Sequence, residues 1–316
     1  MRRVLIYVIL LVGILSSCER RILLEADYTV NLNISINKDI TNYVVEKDPS
    51  IMRCVFYDSE TGGFVTQAFL PPTGGQVSLV PAREYDILVY NFDTESTWLK
   101  EENWFHKIYA STSLIPDSYK TKLRSRSTDS KVDEENIVYD PDHLFVGRLN
   151  DVFIPARSVE ATAVDININA ETVVESWVID ITTITGTENV GSVVGVVTGL
   201  VEHNKIGLNE RSKEFVSVYF DTPVLGDDGH LTARFNTFGY NPESSEPQIL
   251  TLVFTDIAGN DHHFDFDISD QFKNNDHQVI SIGTDEVDIP KPMTSGSGGF
   301  VPKVDDWEDI NTEIRI

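Results

Sequence analysis

The run Tyr28-Thr29-Val30-Asn31-Leu32-Asn33-Ile34-Ser35-Ile36-Asn37 alternates between apolar and polar side chains at every position. Successive side chains of a β-strand point to opposite faces of a sheet, so Tyr28, Val30, Leu32, Ile34 and Ile36 would share one face. This alternation predicts a half-buried strand near the start of the chain.

Similar strand signals follow along the chain, and turn residues such as Gly62-Gly63 and Ala258-Gly259-Asn260 separate them. The further predicted strands are Ile51–Tyr57, Phe64–Leu70, Tyr85–Phe92, Leu144–Leu149, Ala163–Ile168, Val173–Ile184, Val190–Val201, Phe215–Phe220, Leu231–Phe238, Ile249–Asp256, His262–Ile268 and Gln278–Ile282. No long helical period competes with them, and the polar segment Ser118–Asn136 is predicted to be a mobile loop. Short strands at this spacing predict an all-β protein built of β-sandwiches.

The composition favours two folded domains and excludes some partners. The chain has 316 residues, 41% of them hydrophobic, and its 50 acidic and 25 basic residues give a formal net charge of -25. This length predicts two domains, which we place at residues 18–154 and 155–290, with the boundary near Asp151–Val159. Residues 291–316 would form a Gly/Ser connector and a C-terminal strand. Because the basic residues are scattered, nucleic acid is not an expected partner.

The N-terminus predicts export and a lipid anchor. Arg2 and Arg3 precede the apolar run Val4–Leu15, which is too short to span a bilayer but has the length of a signal-peptide core. The small residues before Cys18 resemble a bacterial lipobox. We therefore predict a signal peptide at residues 1–17, cleavage between Ser17 and Cys18, and attachment of acyl chains such as palmitate to Cys18. A plain secretory peptide with a coincidental cysteine is the alternative.

The remaining cysteine and the acidic segments give no strong chemical signal. Cys54 has no intramolecular partner once Cys18 is acylated, and its strand position predicts a buried core residue. The best metal candidate is Asp261–Asp267, where Asp261, His263, Asp265 and Asp267 would share one face of a strand; we favour a hairpin strand with a solvated acidic face. The acidic turns Asp58–Gly63 and Asp227–Gly229 lack the spacing of an EF-hand loop.

The chain contains none of the usual catalytic or phosphate-binding motifs that we sought, so we predict no enzymatic activity, no cofactor and no metal. Trp98, Trp104, Phe105 and Tyr109 are close together in sequence. Such aromatics can form a platform for glycans, but packing in the core or at the rim of a sandwich is the favoured interpretation.

Four segments carry a family resemblance: Cys18–Arg21 after the lipobox, Met52–Tyr57 with Phe69–Gly75, Tyr85–Thr97, and Gly298–Trp307. Together they resemble a family of Bacteroides lipoproteins that is similar to the FimB-type fimbrial anchor and minor subunits of the FimA (fimbrillin) superfamily. The resemblance covers most of the chain that follows the signal peptide.

This resemblance implies two tandem transthyretin-like β-sandwich domains on a lipid anchor in the outer membrane, acting without catalysis in cell adhesion or in assembly of a fimbrium. In fimbrillins of this superfamily an Arg-specific protease removes the first strand, and the groove receives a strand from the next subunit. A cut at Arg20 or Arg21 would release the anchor, which favours an unprocessed anchor subunit or a protein outside the polymerising system.

Partners are therefore expected to be the membrane, through Cys18, and fimbrial subunits, through strand complementation. The alternating residues Asn311–Ile316 are a candidate donor strand, and an ordinary edge strand of the second domain is the alternative. A glycan-binding lipoprotein of a polysaccharide-uptake system is the second functional hypothesis.

Overall fold

A computed structural model describes residues 28–42, 48–123, 135–156, 163–221, 223–273, 275–283 and 287–292. Strands dominate these residues, which confirms the all-β prediction. In this part of the chain no helix has the length and apolar character needed to cross a membrane. The predicted cleavage site, Ser17 and Cys18, and the predicted strand Asn311–Ile316 lie outside the described residues.

Twenty strands and three short helices form the described structure. In chain order the strands are β1 (Tyr28–Ile36), β2 (Met52–Asp58), β3 (Phe64–Leu70), β4 (Gly74–Leu79), β5 (Arg83–Asn91), β6 (Thr97–Lys100), β7 (Tyr109–Thr112), β8 (Asn136–Tyr139), β9 (Phe145–Ile154), β10 (Ala163–Thr172), β11 (Glu175–Thr182), β12 (Val190–Val201), β13 (His203–Lys205), β14 (Glu210–Arg211), β15 (Phe215–Phe220), β16 (Val224–Leu225), β17 (Leu231–Thr237), β18 (Ile249–Asp256), β19 (Asp261–Asp267) and β20 (Val279–Gly283). The helices are α1 (Asp117–Leu123), α2 (Ser269–Phe272) and a 3-10 turn (Thr187–Asn189).

The first lobe, defined as β1–β5, β9 and β10, is one seven-stranded sheet in the order β3-β2-β5-β9-β10-β1-β4. The register joins β10 to β9 only at Glu171 and Thr172, so the sheet divides into two parts. Side chains from both parts, such as Leu32 of β1 and Phe56 of β2, meet in one core. The lobe is therefore a sandwich made from a single continuous sheet.

The predicted first strand is confirmed as β1. It lies between β10, to which it is parallel, and β4, to which it is antiparallel. Tyr28, Val30, Leu32 and Ile34 are buried, as the alternation predicts. The polar face carries a side-chain ladder to β10 in which the Asn31 amide donates to Asp165 (2.7 Å) and the Asn33 amide donates to Asn167 (3.0 Å).

The second lobe, defined as β8, β11, β12 and β15–β20, contains a four-stranded sheet, β16-β17-β11-β20, and a five-stranded sheet, β19-β18-β12-β15-β8. The two sheets enclose a second core that includes Trp177, Phe220, Phe235 and Phe254. Gly195 provides room for this core, because a Cβ there would lie 2.1 Å from the Phe220 ring.

The lobes are joined by strands and by a shared apolar cluster. β8 precedes the predicted boundary at residues 154/155 but pairs with β15, whereas β10 follows that boundary and belongs to the first lobe. A small sheet, β14-β13-β7-β6, also combines strands from both halves of the chain. Between the lobes, Tyr57, Leu88 and Tyr90 pack with Val201 and Phe238. The domain boundary itself stays a prediction.

The prediction of a loop over Ser118–Asn136 is wrong at its beginning and at its end. Asp117–Leu123 forms helix α1, and its one buried residue, Leu123, packs against the outer face of the five-stranded sheet. Asn136 begins strand β8. Leu123 is the one buried residue of helix α1, so the helix carries no apolar stripe from which the sequence could predict it. Residues 124–134 lie outside the description.

Candidate binding surfaces

An arginine held among aromatic rings forms the most developed surface feature of the first lobe. We call Arg53, Phe69, Tyr90 and Phe92 the arginine–aromatic patch. The guanidinium carbon of Arg53 lies 5.9 Å from the ring centroid of Phe69, 5.8 Å from that of Tyr90 and 5.2 Å from that of Phe92. These distances are in the range of cation–π attraction.

The register of the sheet creates this patch. Arg53 on the central strand β2 stands directly opposite Phe69 of β3 and Tyr90 of β5, so all three side chains leave the same face. Phe92 follows β5, and its ring contacts that of Phe69 in a tilted arrangement with the centroids 5.3 Å apart. Phe69 and Phe92 keep 46% and 47% of their surface exposed, so the rings are available to a partner.

Polar contacts fix the charge within the patch. Arg53 pairs with the Glu102 carboxylate, and its Nε donates to Gln67 Oε1 at 2.8 Å. The Tyr57 hydroxyl donates to the Glu102 carbonyl oxygen at 2.9 Å. Burial raises the pKa of Tyr57 and of Tyr90, so both phenols stay neutral. The result is an ion-paired arginine that lies between the two exposed phenylalanine rings of the patch and the buried ring of Tyr90.

The aromatic segment Thr97–Tyr109 is divided between core and surface. Phe105 is 1% exposed and packs between the lobes, as the packing interpretation predicts. Trp98 and Trp104 are 56% and 45% exposed, so they are not core residues. The Lys107 ammonium lies 5.5 Å from the Trp104 ring centroid. Each exposed indole is therefore a further point that a glycan or a protein could contact.

The acidic strand Asp261–Asp267 is the edge strand β19 of a hairpin with β18, as interpreted from sequence. Phe264 and Phe266 point into the second core, and the acidic residues occupy the other face. Two of these carboxylates already accept hydrogen bonds from the neighbouring strand: the Thr251 hydroxyl donates to Asp265 (2.5 Å), and the Thr255 hydroxyl donates to Asp261 (2.8 Å). No metal geometry is evident along the described strand.

The acidic turn Asp58–Gly63 also has internal partners. The Asp58 carboxylate pairs with Arg83 and accepts from the Thr61 amide and hydroxyl, each at 2.8 Å. The hydrogen bonds from Arg83 and Thr61 lower the pKa of Asp58 to about 2. This turn is thus held by ion pairing and local hydrogen bonds.

Sequence reasoning missed one group of potential ligands. Among the described residues, Glu202, His203 and Glu214 form a group whose ligand atoms all lie within 4.8 Å of one another. The His203 Nδ1 lies 3.5 Å from a Glu202 carboxylate oxygen, and its ring packs on Tyr109 with centroids 4.6 Å apart. Glu202 and His203 are adjacent and Glu214 lies directly before β15, so no recognised spacing motif marks the group.

Cys54 occupies the first core, as predicted. Its side chain is 0% exposed, and burial raises the pKa of the thiol to about 12. A thiol in this environment is neither a nucleophile nor a metal ligand at neutral pH.

Comparison with known proteins places this architecture in a family. Residues 17–221, about two thirds of the chain, match the model described as "Domain of unknown function (DUF5119)". The chain belongs to this family. A Bacteroides ovatus protein, provisionally named fimbrium anchoring subunit Fim4B, is 27% identical over 336 aligned positions, which cover 96% of this chain and 95% of that protein. The name of that relative confirms the resemblance to fimbrial anchor subunits.

A solved structure shares the fold. It is a crystal structure, also from Bacteroides ovatus, of a protein provisionally described as an adhesin. Its TM-score is 0.63 at 22% sequence identity, and the match covers 88% of this chain and 98% of that chain. The arrangement of lobes described above is therefore shared, nearly end to end, with an experimentally determined structure.

Proposed function

We propose that this DUF5119 protein is a lipid-anchored subunit of the outer membrane that holds a fimbrium to the cell and acts by binding. The observation that carries the proposal is the near end-to-end relationship to the relative named a fimbrium anchoring subunit. The lipobox ending at Cys18 supplies the attachment that this role requires. Relatives with adhesin and fimbrial names support a protein that binds and is not an enzyme.

The position of β1 supports an anchor that keeps its first strand. Its backbone is hydrogen-bonded on both sides, to β10 and to β4, and Tyr28, Val30 and Leu32 are at most 1% exposed. Removing such a strand would open a groove with two unpaired neighbours. A subunit that retains β1 offers no such groove in this lobe, as suits the end of a polymer.

The finer architecture remains part of the proposal. We infer that the two lobes are the two transthyretin-like sandwiches that the family resemblance implies. We place the signal peptide at residues 1–17 and the acyl chains, palmitate included, on Cys18. Fimbrial subunits would be the partners.

A glycan-binding lipoprotein is the second candidate function, because specific surface features favour it. Trp98 and Trp104 are exposed, and the arginine–aromatic patch adds the exposed rings of Phe69 and Phe92. Exposed rings of this kind can stack on the apolar faces of sugars. This second function predicts that the partners are proteins of carbohydrate transport and utilisation.

A retention assay tests the anchor proposal. In the source bacterium, a strain lacking this gene would be complemented with the natural chain, with Cys18→Ala or with Cys54→Ala. The natural chain and Cys54→Ala should keep fimbrial subunits in the cell fraction, whereas Cys18→Ala should release both the protein and the subunits into the medium. Cys54→Ala is the matched control, since it removes the buried thiol that plays no part in anchoring.

Two outcomes would contradict the proposal. Fimbrial subunits that stay with the cells in the gene-deletion strain would show that another protein anchors them. Recovery of carbohydrate-transport proteins, and not fimbrial subunits, with the lipidated protein by mass spectrometry would favour the second candidate function.

A further inference from the structure

A polar cavity of about 440 Å³ lies where the two lobes meet. Four segments form its walls: the residues after β1, the junction of β10 and β11, the small sheet, and the residue before β20. Asp39 and Glu171 come from the first lobe, and Asn204, Arg211 and Gln278 come from the rest of the chain. The cavity therefore exists only while the lobes are packed together.

Two amide side chains in the wall have unsatisfied oxygens. Asn204 is 4% exposed, and its Oδ1 has no hydrogen-bond partner. Gln278 Oε1 is likewise buried without a partner. Buried polar atoms are nearly always hydrogen-bonded, so two unpaired oxygens in one wall indicate a place where a bound molecule could supply hydrogen-bond donors. Because the terminal torsion of an amide is soft, either group can turn its oxygen toward a molecule in the cavity.

The backbone around the cavity is held in an uncommon conformation. Gln278 has φ 50° and Asn209, also in the wall, has φ 56°, both in the left-handed region that most side chains avoid. The Asn42 amide donates to the carbonyl oxygen of Gln278 at 3.0 Å and so helps to hold it. Strained positions of this kind cluster at binding sites, where surrounding contacts maintain them.

Arg211 is positioned as a fixed donor. Its guanidinium pairs with Glu175 in the wall and donates to the Tyr240 carbonyl oxygen at 2.9 Å. Gly239 leaves the space that this requires, since a Cβ there would lie 2.5 Å from the guanidinium carbon. The wall thus offers carboxylates, amides and one guanidinium whose charge is balanced by a neighbour.

The chemistry of the wall selects a class of ligand. The wall contains three carboxylates, those of Asp39, Glu171 and Glu175, and one guanidinium, that of Arg211. The excess of negative charge disfavours anionic ligands. The three carboxylates do not form a cation site, because they are not among the described groups whose ligand atoms lie within 4.8 Å of one another. The polar lining excludes an apolar ligand. Neutral hydroxyl groups, which donate and accept, match both the amides and the carboxylates.

We propose that the cavity between the lobes binds a short neutral saccharide through Asp39, Asn204 and Gln278. Its volume falls within the range of small-molecule sites. Sugar hydroxyls supply donors to the two amide oxygens and to the carboxylates. The inference does not rest on the fimbrial role: the retention assay reports anchoring, the test below reports ligand binding, and either can fail alone.

The test is binding of the full mature chain to an array of neutral di- to tetrasaccharides, followed by calorimetry with the strongest binder. Asp39→Asn and Asn204→Leu should each weaken that binding by at least tenfold, whereas Asp227→Asn, in an exposed turn that does not line the cavity, should leave it unchanged. Asp39 is exposed, so its variant keeps the test valid if the buried Asn204→Leu chain fails to fold. Spermidine and a sialylated trisaccharide serve as cationic and anionic comparators.

Three results would overturn the inference. They are no binding to any neutral saccharide on the array, binding of spermidine in preference to the saccharides, or loss of saccharide binding in Trp98→Ala with no loss in Asp39→Asn. The last result would locate the saccharide at the exposed tryptophans.

Discussion

Asp140, directly after β8, should make the protein less stable as the pH rises. Burial raises the pKa of Asp140 to about 7, and the nearby Asp142 carboxylate adds to the shift, although a hydrogen bond from the backbone N–H of Asn236 opposes it. An unfolded chain would release this proton near 3.8. Between pH 4 and pH 8 the folded state thus binds more protons, so the free energy of unfolding falls by up to about 4 kcal/mol, at roughly 1.4 kcal/mol per pKa unit.

His143, three residues later, should act in the opposite direction. Its ring nitrogens contact the hydroxyls of Thr172 (2.9 Å) and Ser176 (2.8 Å), and burial lowers its pKa to about 4. The unfolded chain takes up this proton below about pH 6.5, so the His143 contribution to stability is lost as the pH falls from there toward 4. Between about pH 4 and pH 6.5 the two contributions have opposite slopes and largely cancel, and only the Asp140 contribution still lowers stability as the pH rises from 6.5 to 7.

Replacing Asp140 with Asn separates the two effects. Asp140→Asn should match the natural chain near pH 4 and exceed its stability at pH 8 by up to about 4 kcal/mol, because the buried group can no longer ionise. Urea unfolding followed by tryptophan fluorescence from pH 4 to pH 8 measures this difference, and Asp227→Asn in an exposed turn is the matched control. Equal midpoints for Asp140→Asn and the natural chain at pH 8 would show that water already solvates the carboxylate, and would refute the argument.

Further substitutions test the packing. Gly74→Ala should separate β4 from β1, because Gly74 has φ 100° and an added Cβ would lie 1.9 Å from the Leu32 carbonyl oxygen. Gly259→Ala is the matched control, since Gly259 is also at positive φ but an added Cβ would have nothing within 4 Å. It should lower the free energy of unfolding in urea by only about 1 kcal/mol. Leu32→Ala, at a position that is 1% exposed, should cost about 3–5 kcal/mol by the same assay. Cys54 should react with a thiol reagent at pH 8 only after unfolding, and reaction of the native protein would disprove its burial.

Sequence predicted the long strands because each carries its own pattern. The alternation of β1 and the apolar runs that became β12 and β18 are local signals, and the structure confirms them. The short strands β8 and β13 are absent from the prediction, because four or three residues hold too little periodicity. β8 also pairs with the distant β15, and β13 joins the distant β7 as well as its neighbour β14. The crossing of β8 into the second lobe is a consequence of long-range pairing, which no local pattern encodes.

The candidate binding surfaces were likewise only partly predictable from local sequence. The two exposed tryptophans were visible as a group in the sequence, although their exposure was not. Arg53 meets Phe69 and Tyr90 only because the register of three strands brings them together, and the lobe-junction cavity joins residues as distant as Asp39 and Gln278. Sites built across strands and lobes depend on tertiary register, so their residues are recognised only after the fold is known.

Under the proposed anchoring role, the location of β1 restricts how this chain would join a fimbrium. While β1 remains between β10 and β4, the first lobe has no vacant position there for a strand from another subunit. Attachment by strand complementation would then require this chain to donate a strand, and Asn311–Ile316, outside the described residues, is the predicted donor. Deleting Asp309–Ile316 should abolish co-purification of fimbrial subunits and leave the urea unfolding of the chain unchanged. Undiminished co-purification would rule out this tail as the donor, leaving surfaces such as the arginine–aromatic patch to make the contact.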